Sequence, residues 1–174
     1  MRIETWLYNF IIESNRIEGI DRDPSKTEYQ AHTTFLAGDV GIEPLKVFVG
    51  AVAPGNSLRT EPGLNVRVGR HMAPEGGPQI GRALADLNAR IVTGMIDAHD
   101  AYCAYEHLHP FTDGNGRSGR AIWLWMMERQ IDRPHRELGF LQCFHYQTLE
   151  AHDRRVKRFD TSGDYDVQAQ FRVK

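Results

Sequence analysis

The chain has 174 residues, 41% of them hydrophobic and 25% charged, and a formal net charge of −2. That length suits one domain with a real core, and the composition is that of an ordinary globular protein. The near-neutral balance, with arginines scattered along the chain, argues against a general nucleic-acid binder, and no apolar run is long enough to span a bilayer.

In chain order, Trp6 to Ile12 is apolar but short, lies between Glu4 and Glu13 and lacks a small-residue cleavage site, so it reads as protein rather than leader. Ile3, Leu7, Phe10, Ile11, Ser14 and Ile17 recur at helical steps over 3–18, which predicts an amphipathic helix ended by Gly19. Glu18 falls near its apolar face and calls for a cationic partner. Residues 20–26 read as a linker. Ser25 with Glu28 has the spacing of a capping box, which predicts a helix through about Leu36 closed by Gly38. Residues 43–53 read as another helix or partly buried segment, and Pro54-Gly55-Asn56 as a turn.

Over Leu58 to Met72 the period changes to two: Leu64, Val66 and Val68 alternate with Asn65 and Arg67. This predicts a short β-hairpin, with Arg59-Thr60 on one arm and Val66–Val68 or Arg70–Met72 on the other. Its open edge could take an extended segment by strand addition. Helices are predicted over 79–93, from the stripe Ile80, Leu84, Leu87 and Ile91, and over 95–107. The helix over about 115–130 is apolar on much of its surface and is expected at the centre of the bundle. Another helix is predicted over 137–158, and residues 161–174 read as a polar tail. The expected fold is mostly α, a bundle of six to eight helices with one small hairpin. Cys103 and Cys143 form neither a disulfide framework nor a CxxC site, and free thiols suit a reducing, cytoplasmic setting. His107-x-His109, with His99 nearby, lacks the further ligands of a zinc site.

The densest chemistry is the loop His109-Pro110-Phe111-Thr112-Asp113-Gly114-Asn115-Gly116-Arg117-Ser118-Gly119-Arg120. Glycines on both sides of Asn115 allow backbone N–H groups to converge on an anion, and the following helix adds its own unpaired N–H groups. Arg117 and Arg120 share a face of that helix, near the end where its dipole opposes cations, so an anion held there is implied. Two guanidiniums beside such a nest suit a polyphosphate. Asp113 has the character of a Mg²⁺ ligand beside phosphates. His109 is the only group in the loop that titrates near neutrality, and suits a general base. Together these parts describe metal-assisted transfer from a nucleoside triphosphate.

This string resembles the signature of the Fic family, His-Pro-Phe-x-Asp/Glu-Gly-Asn-Gly-Arg-x-x-Arg, at every fixed position. The resemblance implies a Fic-type helical bundle with a hairpin flap, and transfer of AMP from ATP to a Ser, Thr or Tyr hydroxyl of a target protein. It implies His109 as base, Asp113 as Mg²⁺ ligand, Gly114, Asn115 and Gly116 as an anion hole, and Arg117 and Arg120 as holders of the β- and γ-phosphates. The hairpin, with Val66, Arg67, Val68 and Gly69, would be the flap that registers the target side chain. Ser14-Asn15-Arg16-Ile17-Glu18-Gly19 resembles the family's inhibitory motif, Ser/Thr-x-x-x-Glu-Gly/Asn, so Glu18 is expected to pair with Arg120 and block the γ-phosphate, with Ser14 in the same motif. The implied organisation is an inhibitory helix and linker over 1–22, a catalytic core over 23–158 and a tail over 159–174. Other readings stay open: transfer of UMP, GMP or phosphocholine, removal of AMP with Glu18 positioning water, or a non-catalytic nucleotide-binding regulator. Neither nucleic acid nor membrane is expected as a partner.

Overall fold

The computed structural model describes residues 5–68 and 71–130. The helix and tail expected beyond residue 136, together with Cys143, lie outside these residues, as do Gly69 and Arg70 of the hairpin. The described chain is mostly α: α1 (Thr5–Ile17), α2 (Lys26–Ala37), α3 (Ile42–Val52), α4 (Pro78–Val92), α5 (Ala98–Leu108) and α6 (Asn115–Gln130), with two short strands, β1 (Arg67–Val68) and β2 (His71–Met72), between α3 and α4.

Helix α6 is the axis. It packs against α5, α2, α3 and α1, and every residue from Arg117 to Met126 is buried. A helix apolar on all sides can only be stable with neighbours on all sides. The core joins Ala121, Ile122, Trp123 and Leu124 of α6 to Leu7, Phe10 and Ile11 of α1, Leu45, Phe48 and Val49 of α3, and Tyr102 and Tyr105 of α5. Each large side chain buried there contributes about 1.5–3 kcal/mol. Trp125 donates its indole N–H to the Gly38 carbonyl at 2.8 Å, and the Arg129 guanidinium lies 3.8 Å above the Trp125 ring. These contacts fasten the end of α6 to the end of α2.

The helix boundaries follow local chemistry. Ser25 caps α2: its hydroxyl accepts the Glu28 N–H while Glu28 accepts the Ser25 N–H, closing the expected capping box. Gly19 follows α1 with φ +73°, a conformation open to glycine at little cost. Helix α5 starts later than predicted, because the Asp97 carboxylate accepts the Asp100 N–H at 2.9 Å and acts as the N-cap.

The hairpin is shorter than its alternation suggests and pairs differently. Arg67 opposes Met72 and Val68 opposes His71. Arg59-Thr60 forms neither arm. Leu58 instead bridges Phe111, and the Arg59 side chain turns inward and is fully buried.

Candidate active site

Helix α5 delivers the chain to His109, which caps it in the left-handed conformation, φ 47° and ψ 61°. Among the described residues it is the one non-glycine with positive φ. Such a backbone costs roughly 1–3 kcal/mol and persists where neighbours enforce it. The His109 N–H donates to the Tyr105 carbonyl at 2.9 Å, and its Nδ1 lies 3.2 Å from the Glu106 carbonyl. A carbonyl can only accept, so Nδ1 carries the proton and Nε2 keeps the lone pair. Burial lowers the His109 pKa below 6.5; the Glu106 carbonyl opposes this, Arg59 and His71 add to it, and Glu18 opposes it. The imidazole is therefore neutral at pH 7, as a general base requires.

The loop after His109 is closed by one side chain. The Asn115 amide accepts the Phe111 N–H at 2.8 Å and donates to the Phe111 carbonyl at 2.8 Å. Its carboxamide is thereby spent on holding the turn, and the helix N-terminus that follows presents backbone N–H groups. Phe111 is buried and anchors the loop in the core. Gly114, at φ +81°, packs so tightly that an added Cβ would lie 2.9 Å from the Ala53 Cβ and 3.3 Å from Val49. The Gly114 carbonyl accepts the Ser118 hydroxyl at 2.8 Å, and that hydroxyl also meets the Tyr105 hydroxyl at 2.7 Å. The turn is rigid from both sides.

Asp113 accepts the Gly114 N–H through Oδ1 at 2.6 Å and leaves 65% of its side chain exposed. One fixed carboxylate with a solvent-facing side fits Mg²⁺, which keeps several waters and takes further oxygens from a nucleotide. Asp97, His99 and Asp100 also bring ligand atoms within 4.8 Å of one another, but Asp97 is engaged as the cap of α5.

The two arginines diverge. Arg117 is buried and donates through Nη1 to the Val52 carbonyl at the end of α3, where the helix dipole favours a cation. Its Nη2 is 3.9 Å from the Asp113 carboxylate, and its buried Nε has no hydrogen-bond partner. Arg120 turns to α1. It donates through Nε to the Ser14 hydroxyl at 2.9 Å, and through Nη2 to the Ser14 carbonyl at 2.9 Å and the Glu18 carboxylate at 2.5 Å. A Cβ on Gly116 would collide with that carboxylate and lie 3.0 Å from Arg120 Nη1. Glu18 therefore sits against the first turn of α6, with a third of its side chain exposed. Ser14, Glu18, Gly116 and Arg120 converge; His109, Gly114 and Asn115 lie along the loop that feeds them. Of the expected flap residues, Val66, Arg67 and Val68 precede or form β1, and Gly69 falls outside the described residues.

Two structural groups carry no obvious mark in the sequence. Glu28, read there only as a cap partner, is buried and also accepts Asn15 Nδ2 at 3.1 Å and Arg22 Nη1 at 2.7 Å, tying α1 to α2. Burial pushes its carboxyl up, but the bonds from Arg22, Ser25 and Asn15 outweigh this and hold it at about 2. Arg59 is the other: its neighbours Asn56, Ser57, Thr60 and Glu61 are polar, and nothing around it in the sequence marks it for burial.

The model of the Fic/DOC family matches residues 49–127. The match begins within α3 and ends within α6, so α1, with Ser14 and Glu18, lies outside it. No curated protein matches the chain.

Proposed function

Because the chain carries a Fic domain, of a family that transfers nucleotide or other phosphate-containing groups onto proteins, we propose that it moves AMP from ATP to a hydroxyl of a target protein and is restrained by its own Glu18. The observation that supports this best is the Glu18 carboxylate itself: it sits against Gly116 and is bonded to Arg120 at 2.5 Å. The first turn of α6 already holds an anion supplied by the chain, which is how a phosphate site with a built-in competitor is expected to look.

In this reading the polyphosphate of ATP lies over the N–H groups at the start of α6, and Arg120 takes the terminal phosphate once Glu18 has moved aside. The orphaned Nε of Arg117 offers a further donor. Asp113 would hold Mg²⁺, which would neutralise phosphate charge during transfer. The Nε2 lone pair of His109 takes the proton of the target hydroxyl. The hydroxyl oxygen then bonds to the α-phosphorus, the bond from that phosphorus to the bridging oxygen breaks, and pyrophosphate leaves with the electron pair. The hairpin β1–β2 stands next to His109 and presents the target segment. The setting in this reading is cytoplasmic, since two cysteines at no disulfide-framework spacing suit a reducing compartment.

The test is intact-mass spectrometry after incubation with ATP and Mg²⁺, on the wild type, Glu18→Gly, and Glu18→Gly combined with His109→Ala. An AMP adduct that rises at least about tenfold in Glu18→Gly and disappears in the double variant is expected. A charge-assisted hydrogen bond is worth roughly 1.5–3 kcal/mol, and about 1.4 kcal/mol is tenfold in rate. An adduct of equal size on all three proteins would overturn the reading.

A further inference from the structure

Arg59 is a charged side chain with no exposed surface, and the four hydrogen bonds its guanidinium makes all go to backbone carbonyls. Nε donates to His109 O at 2.7 Å and Nη2 to Leu108 O at 2.9 Å. Nη1 donates to Leu64 O at 3.0 Å and to Pro74 O at 2.8 Å. The backbone on either side joins in: Arg59 N–H donates to Pro110 O at 2.8 Å, and Gly77 N–H donates to Arg59 O at 2.9 Å.

The four acceptors form two pairs. Leu108 and His109 are the last residue and the cap of α5, where the unpaired carbonyls and the dipole favour a cation. This lets a guanidinium remain charged without a carboxylate beside it. Leu64 and Pro74 stand just before β1 and just after β2, so Nη1 draws together the two feet of the hairpin. A two-stranded hairpin is marginal on its own, and a left-handed histidine has to be held there by its neighbours. One planar fork with fixed donor directions meets both needs. The hairpin has a second hold on the same place, since His71 Nε2 lies 3.1 Å from His107 O and its ring meets the His107 ring edge-on at 5.2 Å.

We propose that Arg59 is a positioning residue that locks the hairpin and the catalytic histidine into one rigid unit, so that a target segment laid on the hairpin arrives in fixed register with His109. This rests on the reading of His109 as base and of the hairpin as the surface that presents the target. A lysine could not do the same, because one ammonium cannot reach four acceptors spread around a planar fork.

The test uses the full chain carrying Glu18→Gly, with Arg59→Gln and Arg59→Lys added separately. Amide hydrogen exchange reads the hairpin, NMR titration reads His109, and the initial rate of AMP self-modification reads catalysis. In both variants exchange at the amides of His71–Ala73 should accelerate, and kcat should fall roughly ten- to a hundredfold, while KM for ATP stays within about twofold. In the wild type His109 is faced by Glu106 from α5, His71 from β2, Glu18 just past α1 and Arg59 itself; Glu18 is absent from every protein in this test. In Arg59→Gln the nearby cation is gone, so its titration should move to higher pH; in Arg59→Lys it should stay. Should Arg59→Gln fail to fold, Arg59→Lys keeps the charge and the stem and still decides through exchange and kcat. A folded Arg59→Lys with unchanged hairpin protection, or with KM for ATP moving in place of kcat, overturns the proposal. If the Glu18→Gly parent gives no adduct, the transferase reading fails instead, and exchange and titration still judge the coupling.

Discussion

The neutral state of His109, with its one ring proton on Nδ1, has a kinetic consequence. The Glu106 carbonyl fixes the proton on Nδ1, and burial keeps the ring neutral below its ordinary value of 6.5. A base is lost when it takes up a proton, so activity should fall as pH drops through a value lower than that of a free histidine. In the Glu18→Gly protein one of the contacts that raise this pKa is gone, and the fall should come later still. Initial rates of adduct formation from about pH 5 to about pH 8 check this; a decline already complete at the pKa of free histidine would contradict it. The residue types of this loop were legible in the sequence because they are local: twelve consecutive residues carry histidine, carboxylate, turn and cations. The divergence of Arg117 and Arg120 was not legible. Spacing puts both on one helix face, but the acceptors that draw them apart, Val52 O and Ser14, come from elements far away in the chain.

At the level of single elements, the capping box of α2 came directly from Ser25 and Glu28, since cap and partner are three residues apart and need no tertiary information. Ser25→Ala should cost about 1 kcal/mol of stability, read as a lower urea midpoint. Glu28→Gln should cost more, because the same buried carboxylate also receives Arg22 and Asn15, and a hydrogen bond to a charged group is worth about 1.5–3 kcal/mol. A smaller loss for Glu28→Gln than for Ser25→Ala would show that the link between α1 and α2 adds nothing. The hairpin shows the opposite case. Alternation around Val66 revealed strand character, but the hold that Arg59 takes on the Leu64 and Pro74 carbonyls, on either side of the hairpin, comes from outside the strands. A side chain that acts on carbonyls leaves no pattern among its neighbours. The late start of α5 is different again: Asp97 is an ordinary N-cap residue, and apolar periodicity through Met95 and Ile96 masked it.

For the molecule as a whole, His32 sets the acid limit. Its ring is fully enclosed in α2, with Phe10 and Phe48 edge-on at 6.2 and 4.8 Å, and burial lowers its pKa to about 4 against the Glu28 carbonyl and carboxylate, with Arg120 and Arg117 also lowering it. The unfolded chain takes up this proton below about 6.5 while the folded chain refuses it. Stability is therefore full above that value and is lost as pH falls toward about 4, by about 3 kcal/mol. His32→Leu should flatten the dependence in that window, as seen in denaturant midpoints at several pH values; an unchanged slope would place the acid sensitivity elsewhere. The central place of α6 was readable from its unbroken apolar run. The docking of α1 on Arg120, across 102 residues of chain, was reached only through the likeness of Ser14–Gly19 to a known motif, because no local pattern encodes so distant a partner. That docking also sets a tempo. Ser14, inside α1, supplies two of the three bonds to Arg120, whereas Glu18 lies just past the helix end, beside a glycine in the left-handed region. If Glu18 restrains transfer as proposed, freeing Arg120 from it would take one rotamer change in a partly exposed side chain, a nanosecond event, rather than the micro- to millisecond release of a helix. Such a restraint would flicker: the protein would idle at a low steady rate, and whatever shifts the balance of rotamers would act at once, without a lag.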